Sequence, residues 1–285
     1  MRWSGSTAGR WRSAWLSEAL ARQQHHVIGN LAPRERRTVN PPATPLPGVD
    51  PGLLQDLVDA NHILFNEGVL DAFGHVSARH NQRADRFLLA RNMAPGLVTA
   101  DDIVEYQLDG SEADARGRKP YLERFIHGEI YRARPDVMAV VHSHSPAVVP
   151  FSVAKSAPLR PVFHMGGFLG GGAPIFEIRN TAGDATDLLI RSVALGAALA
   201  KSLGTANVVL MRGHGSTVVA PTLRVAVYRA VYTEVNARLL SDAMRLGPVE
   251  LLTIEEAKAA MTTNEGQIDR PWEFWKMRAR QAKLA

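Results

Sequence analysis

The sequence predicts an α/β layered fold, and three observations carry that prediction. Short apolar runs of strand length alternate with longer stretches of helical period. The chain has 285 residues, 46% of them hydrophobic, enough to bury a sizeable core. No stretch approaches the roughly 18 consecutive apolar residues of a membrane span.

The elements follow in chain order. Pro51-Gly52 opens an amphipathic helix: Leu53, Leu54, Leu57, Val58, Leu64 and Phe65 fall near i, i+3, i+4 spacing, and Gly68 supplies the C-cap. Extended pieces are expected at 75–79 and 87–90. Thr99 and Asp102 form a capping box for a brief turn. A strand at 103–108 ends in an Asp109-Gly110 turn. Residues 119–133 read as a helix closed by Pro135. The apolar run 137–141 is a strand leading into His142-Ser143-His144, and Ser145-Pro146 reads as the cap and first residue of another helix. The glycine-rich 168–172 lacks the Lys-Ser/Thr of a phosphate loop. A helix is expected over 186–203, a buried strand over 208–211, a long helix over 223–246, and two C-terminal helices over 253–261 and 271–282.

Charge is unevenly placed. Residues 1–48 hold seven arginines against two glutamates, which accounts for the whole formal charge of +5 and leaves 49–285 neutral. With Pro41, Pro42, Pro45 and Pro47, this stretch reads as a flexible basic extension, a dispensable leader, preceding one domain at 49–285. It has neither the signature of an RNA module nor the apolar segment of a secretory signal. No nucleic-acid or membrane partner is expected, and the compartment expected is the cytoplasm. Without cysteine there is no disulfide framework, no thiolate metal site and no thiol nucleophile.

Chemistry concentrates on histidine. His142 and His144 stand two apart at a strand end, so they share a face. His214 follows the 208–211 strand in a Gly-His-Gly turn with room for a ligand. Glu123 lies on the preceding helix, with His127 one turn on. Three imidazoles and a carboxylate suit a catalytic Zn²⁺ or Mn²⁺ site with room for substrate. A lone His on such a strand is more often a satisfied core residue, so the residues alone leave both readings open.

Glu123, His142-Ser143-His144 and Gly213-His214-Gly215, preceded by Gly74-His75-Val76-Ser77-Ala78-Arg79, resemble the class II aldolase/adducin family over residues 53–246. The resemblance implies a three-layer α/β/α fold around a mostly antiparallel nine-stranded sheet. It implies a homotetramer with metal sites near subunit interfaces. It also implies one divalent metal per subunit on His142, His144 and His214, with Glu123 as acid/base.

The chain departs from the sugar-phosphate members where they hold phosphate. Gly74-His75 stands where Gly-Asn belongs, Ala90-Arg91-Asn92-Met93-Ala94-Pro95-Gly96 where a hydroxyl-bearing loop belongs, and Tyr121-Leu122 where two serines belong. Arg can grip a carboxylate and Tyr can stack on a ring. With Arg270-Pro271-Trp272 and Trp275, the pattern is similar to the aromatic decarboxylase branch, including 3,4-dihydroxyphthalate decarboxylase. The expected function is a metal-dependent lyase acting on an ortho-hydroxy aromatic dicarboxylate. His75, Arg91, Tyr121 and His164 are the candidate substrate contacts. Ser77 and Arg79 are expected to hold the loop, His127 to support a metal-bound histidine or the structure, Tyr228 and Tyr232 to pack in the core, and Trp272 and Trp275 to dock a helix. The alternatives are an aldolase or dehydratase, a metal-free adducin-like scaffold, and a metal-dependent oxygenase.

Overall fold

The computed structural model describes residues 46, 48–113 and 117–282. The expected extension thus lies outside the described residues, apart from Leu46, which is buried in the core, and Gly48.

Seven strands form one sheet in the order β3-β2-β1-β4-β7-β6-β5. They are β1 (His75–Arg79), β2 (Arg86–Ala90), β3 (Ile103–Gln107), β4 (Ala139–Ser143), β5 (Ile175–Phe176), β6 (Val208–Met211) and β7 (Gly215–Ala220). Every pairing is antiparallel except β5 with β6. This is the mostly antiparallel sheet expected, with seven strands among the described residues rather than nine. The bridge Tyr106 to Glu112 does not extend into a ladder.

Helices cover both faces of the sheet. On one side α1 (Pro51–Asn66), α6 (Leu223–Leu246) and α8 (Asp269–Ala282) pack together. Asp50 caps α1 by accepting from the Gly52 N–H at 2.9 Å, and Gly68 follows the helix at φ +72°, where glycine alone is unstrained. Trp272 and Trp275 are buried and dock α8 as expected. On the other side α2 (Arg124–Ala133) packs on α5 (Val193–Leu203). Two shorter helices, α3 (Val149–Val153) and α4 (Arg179–Ala182), and a capped α7 (Ile254–Glu265) complete the set.

Three expected helix starts are corrected. Helix α2 begins at Arg124, not 119: Pro120 keeps Lys119 out of the helical region, and Glu123 takes a non-helical conformation as the N-cap. Ser145-Pro146 starts no helix: the Ser145 hydroxyl bonds the Glu234 carboxylate, which also accepts from the Ala147 N–H at 3.1 Å, so a side chain from α6 caps this turn. Helix α5 begins at Val193, capped by Ser192. The preceding 186–191 is irregular, with Leu188 at φ +70° and its N–H held by the Thr186 hydroxyl.

Candidate metal and substrate site

The sheet delivers the site by strand parity. His142 on β4 lies opposite His75 on β1, so both face the α2 side, where Ser77 also points. His144 follows one residue after β4. His214 sits in the β6–β7 turn, which Gly213 closes at φ +66°. Gly215 permits that turn to lie against β4: a Cβ there would fall 2.1 Å from the Ser143 carbonyl oxygen. Glu123 is not within the helix, as the sequence suggested, but at the N-cap of α2 (φ −94°, ψ 20°). From there its carboxylate reaches the histidines.

Glu123, His142, His144 and His214 each offer one ligand atom, and all four atoms lie within 4.8 Å of one another. The Nε2 atoms of His142 and His144 are 3.2 Å apart, those of His144 and His214 2.9 Å. Glu123 Oε2 stands 3.5 Å from the Nε2 of both His142 and His214. Its other oxygen accepts the Ile190 N–H at 2.9 Å.

The donor set fits a divalent cation. His142 Nδ1 donates to the Ser216 carbonyl at 3.1 Å and His214 Nδ1 to the Leu188 carbonyl at 2.9 Å. A carbonyl can only accept, so each of these rings carries a proton on Nδ1. Their Nε2 lone pairs then converge beside a carboxylate, an arrangement a bound cation satisfies and one that backbone partners orient.

The electrostatics agree. Burial raises the Glu123 pKa, but hydrogen bonds and attraction from His142 and His214 outweigh it and hold the carboxyl well below the usual range. Glu123 is therefore ionised. Burial and the two neighbouring imidazoles lower His144 to about 4. For His214, burial is outweighed by its interaction with Glu123, which favours a proton on Nε2, the place a bound cation would take, and the net shift is upward.

A cavity of about 320 Å³ opens onto this cluster. Its walls include Phe73, His75, Met93, Tyr121, Glu123 and His144. His75 and Tyr121, two of the expected substrate contacts, both line this cavity, their rings 4.7 Å apart. The Tyr121 hydroxyl bonds the Met93 carbonyl, and burial pushes its pKa up to about 12, so it stays neutral.

Two expected contacts are not brought to the cavity. Arg91 is turned to Asp102, Nε to Oδ1 at 2.7 Å, and is absent from the cavity wall. Asp102 is itself fixed by the Thr99 hydroxyl and N–H, which draws the guanidinium away. His164 lines a separate hollow with Glu250, Leu252 and Glu256, and its carbonyl accepts from Asn264. Arg79 holds backbone rather than the cavity, donating to the carbonyls of Ala84, Tyr131, Arg134 and Val137, and Ser77 bonds His127 and Tyr131. Tyr228 is buried in the core. Sequence reasoning missed the backbone partners at Leu188, Ile190 and Ser216, for which residue type gives no signal.

Residues 55–241 match the family described as Class II Aldolase and Adducin N-terminal domain.
The chain belongs to the class II aldolase and adducin family.
Within it, the chain is 38% identical over 245 residues to the decarboxylase tropJ of Talaromyces stipitatus, covering 78% of this chain and 92% of that protein. It is 31% identical over 203 residues to 3,4-dihydroxyphthalate decarboxylase of Arthrobacter keyseri, covering 66% of this chain and 77% of that one. An L-fuculose 1-phosphate aldolase structure from Glaciozyma antarctica superposes with TM-score 0.65 at 20% identity, over 81% of this chain and 90% of that one, and shows the shared fold. Among the described residues no helix is long and apolar enough to cross a membrane.

Proposed function

We propose that this chain is a divalent-metal-dependent lyase that decarboxylates an ortho-hydroxy aromatic dicarboxylate such as 3,4-dihydroxyphthalate. The observation that carries the reading is the joining of two features. An imidazole and carboxylate cluster that fits a cation stands at one end of a ring-sized cavity, and the wall there is His75, Met93 and Tyr121 rather than phosphate-binding hydroxyls. The identities with two decarboxylases support the same branch.

His142, His144 and His214 would hold the metal, Zn²⁺ or Mn²⁺, which when bound supplies Lewis-acid stabilisation of negative charge on substrate oxygens. The protein's own groups do the rest. Tyr121 and Met93 flank the ring. Ionised Glu123, held by Ile190, takes the proton of the substrate's ortho hydroxyl. The ring oxygen's electrons then push toward the carbon bearing the carboxylate, which takes that proton back from Glu123. The bond to the carboxylate breaks, CO₂ leaves, and its electron pair restores the aromatic ring and the oxygen's negative charge. Solvent supplies the last proton.

Exposed Phe73 (67%) and Leu122 (52%) at the cavity mouth support the homotetramer reading, with a neighbouring copy covering the opening. The test is His142→Ala: metal content and CO₂ release should be lost together. Full turnover by that variant in chelator-treated buffer would remove the proposal, and aldehyde release from a sugar phosphate in place of CO₂ would favour an aldolase.

A further inference from the structure

A buried chain of hydrogen bonds runs from the cavity wall into the fold, and its order can be worked out link by link. His75 Nδ1 lies 2.6 Å from His127 Nε2. His127 Nδ1 lies 2.6 Å from Ser77 Oγ, which lies 2.8 Å from the Tyr131 hydroxyl. All four residues are at most 3% exposed.

The far end sets the direction. Among the described residues, Ser77 Oγ is the one side-chain partner of the Tyr131 hydroxyl. The Val140 backbone near this oxygen lowers the phenol's pKa, as an N–H turned toward it does, and so offers it no acceptor. The guanidinium of Arg79 lies 4.7 Å from the ring centre and strengthens the phenol as a donor. A buried O–H left without an acceptor is costly, so Tyr131 donates to Ser77. Ser77 has one proton, and it goes to His127 Nδ1. His127 then carries its own proton on Nε2 and gives that bond to His75 Nδ1. A His75 that accepts at Nδ1 carries its proton on Nε2, on a ring that lines the cavity.

We propose that the Tyr131–Ser77–His127 chain fixes the His75 proton on Nε2, making His75 a hydrogen-bond donor to the carboxylate that the substrate retains. The identity of that anion rests on the decarboxylase reading; the proton order does not. His75 is thereby a specificity-determining residue, suited to an anionic oxygen and closed to service as a base. His127, Ser77 and Tyr131 act through it as positioning residues.

The experiment is two-bond ¹H–¹⁵N correlation on histidine-labelled protein, chelator-treated and with Zn²⁺ added, titrated with phthalate (benzene-1,2-dicarboxylate). His75→Gln assigns the signals. The expected result is an Nε2–H pattern at both His75 and His127, with the His75 Nε2–H signal moving as phthalate binds. His75→Leu should weaken phthalate binding about tenfold or more, the loss of one bond to a charged group. His75→Gln keeps an N–H donor and should stay within about threefold of wild type. A proton on His75 Nδ1, no phthalate binding by the wild type, or equal affinity in His75→Leu would overturn the inference. None of these readouts needs turnover. An inactive protein with the expected pattern would therefore refute the decarboxylase reading while leaving the proton order in place.

Discussion

Gly215→Ala tests how closely the site depends on the approach of β7 to β4. The added Cβ would fall 2.1 Å from the Ser143 oxygen, 3.0 Å from its carbonyl carbon and 3.2 Å from His144 Cα. The first is more than 1 Å short of the 3.4 Å at which ordinary contact begins, and all three atoms are backbone that cannot rotate away. The strands must therefore part between His142–His144 and His214. Overpacking of this kind costs about 1–3 kcal/mol, and each ladder bond stretched beyond use adds about 1. A total near 3 kcal/mol corresponds to a fall in Tm of roughly 6–12 °C for a domain of this size. The ligand set suffers more, since metal distances tolerate only about ±0.2 Å. The assay is a thermal melt with metal analysis, using Gly171→Ala as control because its Cβ would meet nothing within 4 Å. A Gly215→Ala protein that melts within about 2 °C of wild type and keeps its metal would refute the reasoning.

Three further outcomes are expected. Glu123→Gln keeps an acceptor for the Ile190 N–H but cannot carry the proton, so turnover should fall about 10²–10⁴-fold with Tm nearly unchanged; turnover within tenfold of wild type would contradict the role given to Glu123. Arg91→Ala removes a half-exposed pair with Asp102 outside the cavity, so phthalate affinity should be unchanged and stability lowered by no more than about 1 kcal/mol; a tenfold loss of affinity would restore Arg91 to the substrate site. Burial lowers His127 from 6.5 to about 3, so between those values the unfolded chain binds the proton and the folded one does not. That contribution should therefore cost nothing above pH 6.5 and destabilise progressively down to about pH 3. Urea unfolding of His127→Gln should show a shallower acid loss than wild type, and an identical slope would be the contrary result.

What could be read in the sequence was what periodicity and residue type control. Strands β1 and β6 and helix α6 were legible because their apolar patterns have no competing turn chemistry. The pairing of His142 with His144 was legible because histidines at a strand end inherit the strand's parity, while the places of Glu123 and His214 came from the family resemblance. The errors have physical sources of the same local kind. Helix α2 starts later than its sequence pattern suggests, which makes Glu123 its cap rather than a helix residue. Glu234, 89 positions from Ser145, did the work expected of a local N-cap. Leu188 took a left-handed conformation that leucine rarely adopts, and thereby offered its carbonyl to His214. Arg91 was drawn off by Asp102, a partner whose orientation depends on the turn holding it. The hydrogen-bond chain through Ser77, His127 and Tyr131 joins strand β1 to helix α2, a pairing across 50 or more positions that local spacing does not disclose.

The central claim is that the Glu123–His142–His144–His214 cluster serves metal-dependent loss of CO₂ from an aromatic dicarboxylate. The direct measurement is anaerobic CO₂ release from 3,4-dihydroxyphthalate by the wild-type protein as purified, after chelation, and after restoring Mn²⁺ or Zn²⁺. One CO₂ per substrate consumed, abolished by the chelator and recovered with metal, is the result expected. Release that persists undiminished in metal-free protein, or none under any of the three conditions, would contradict it.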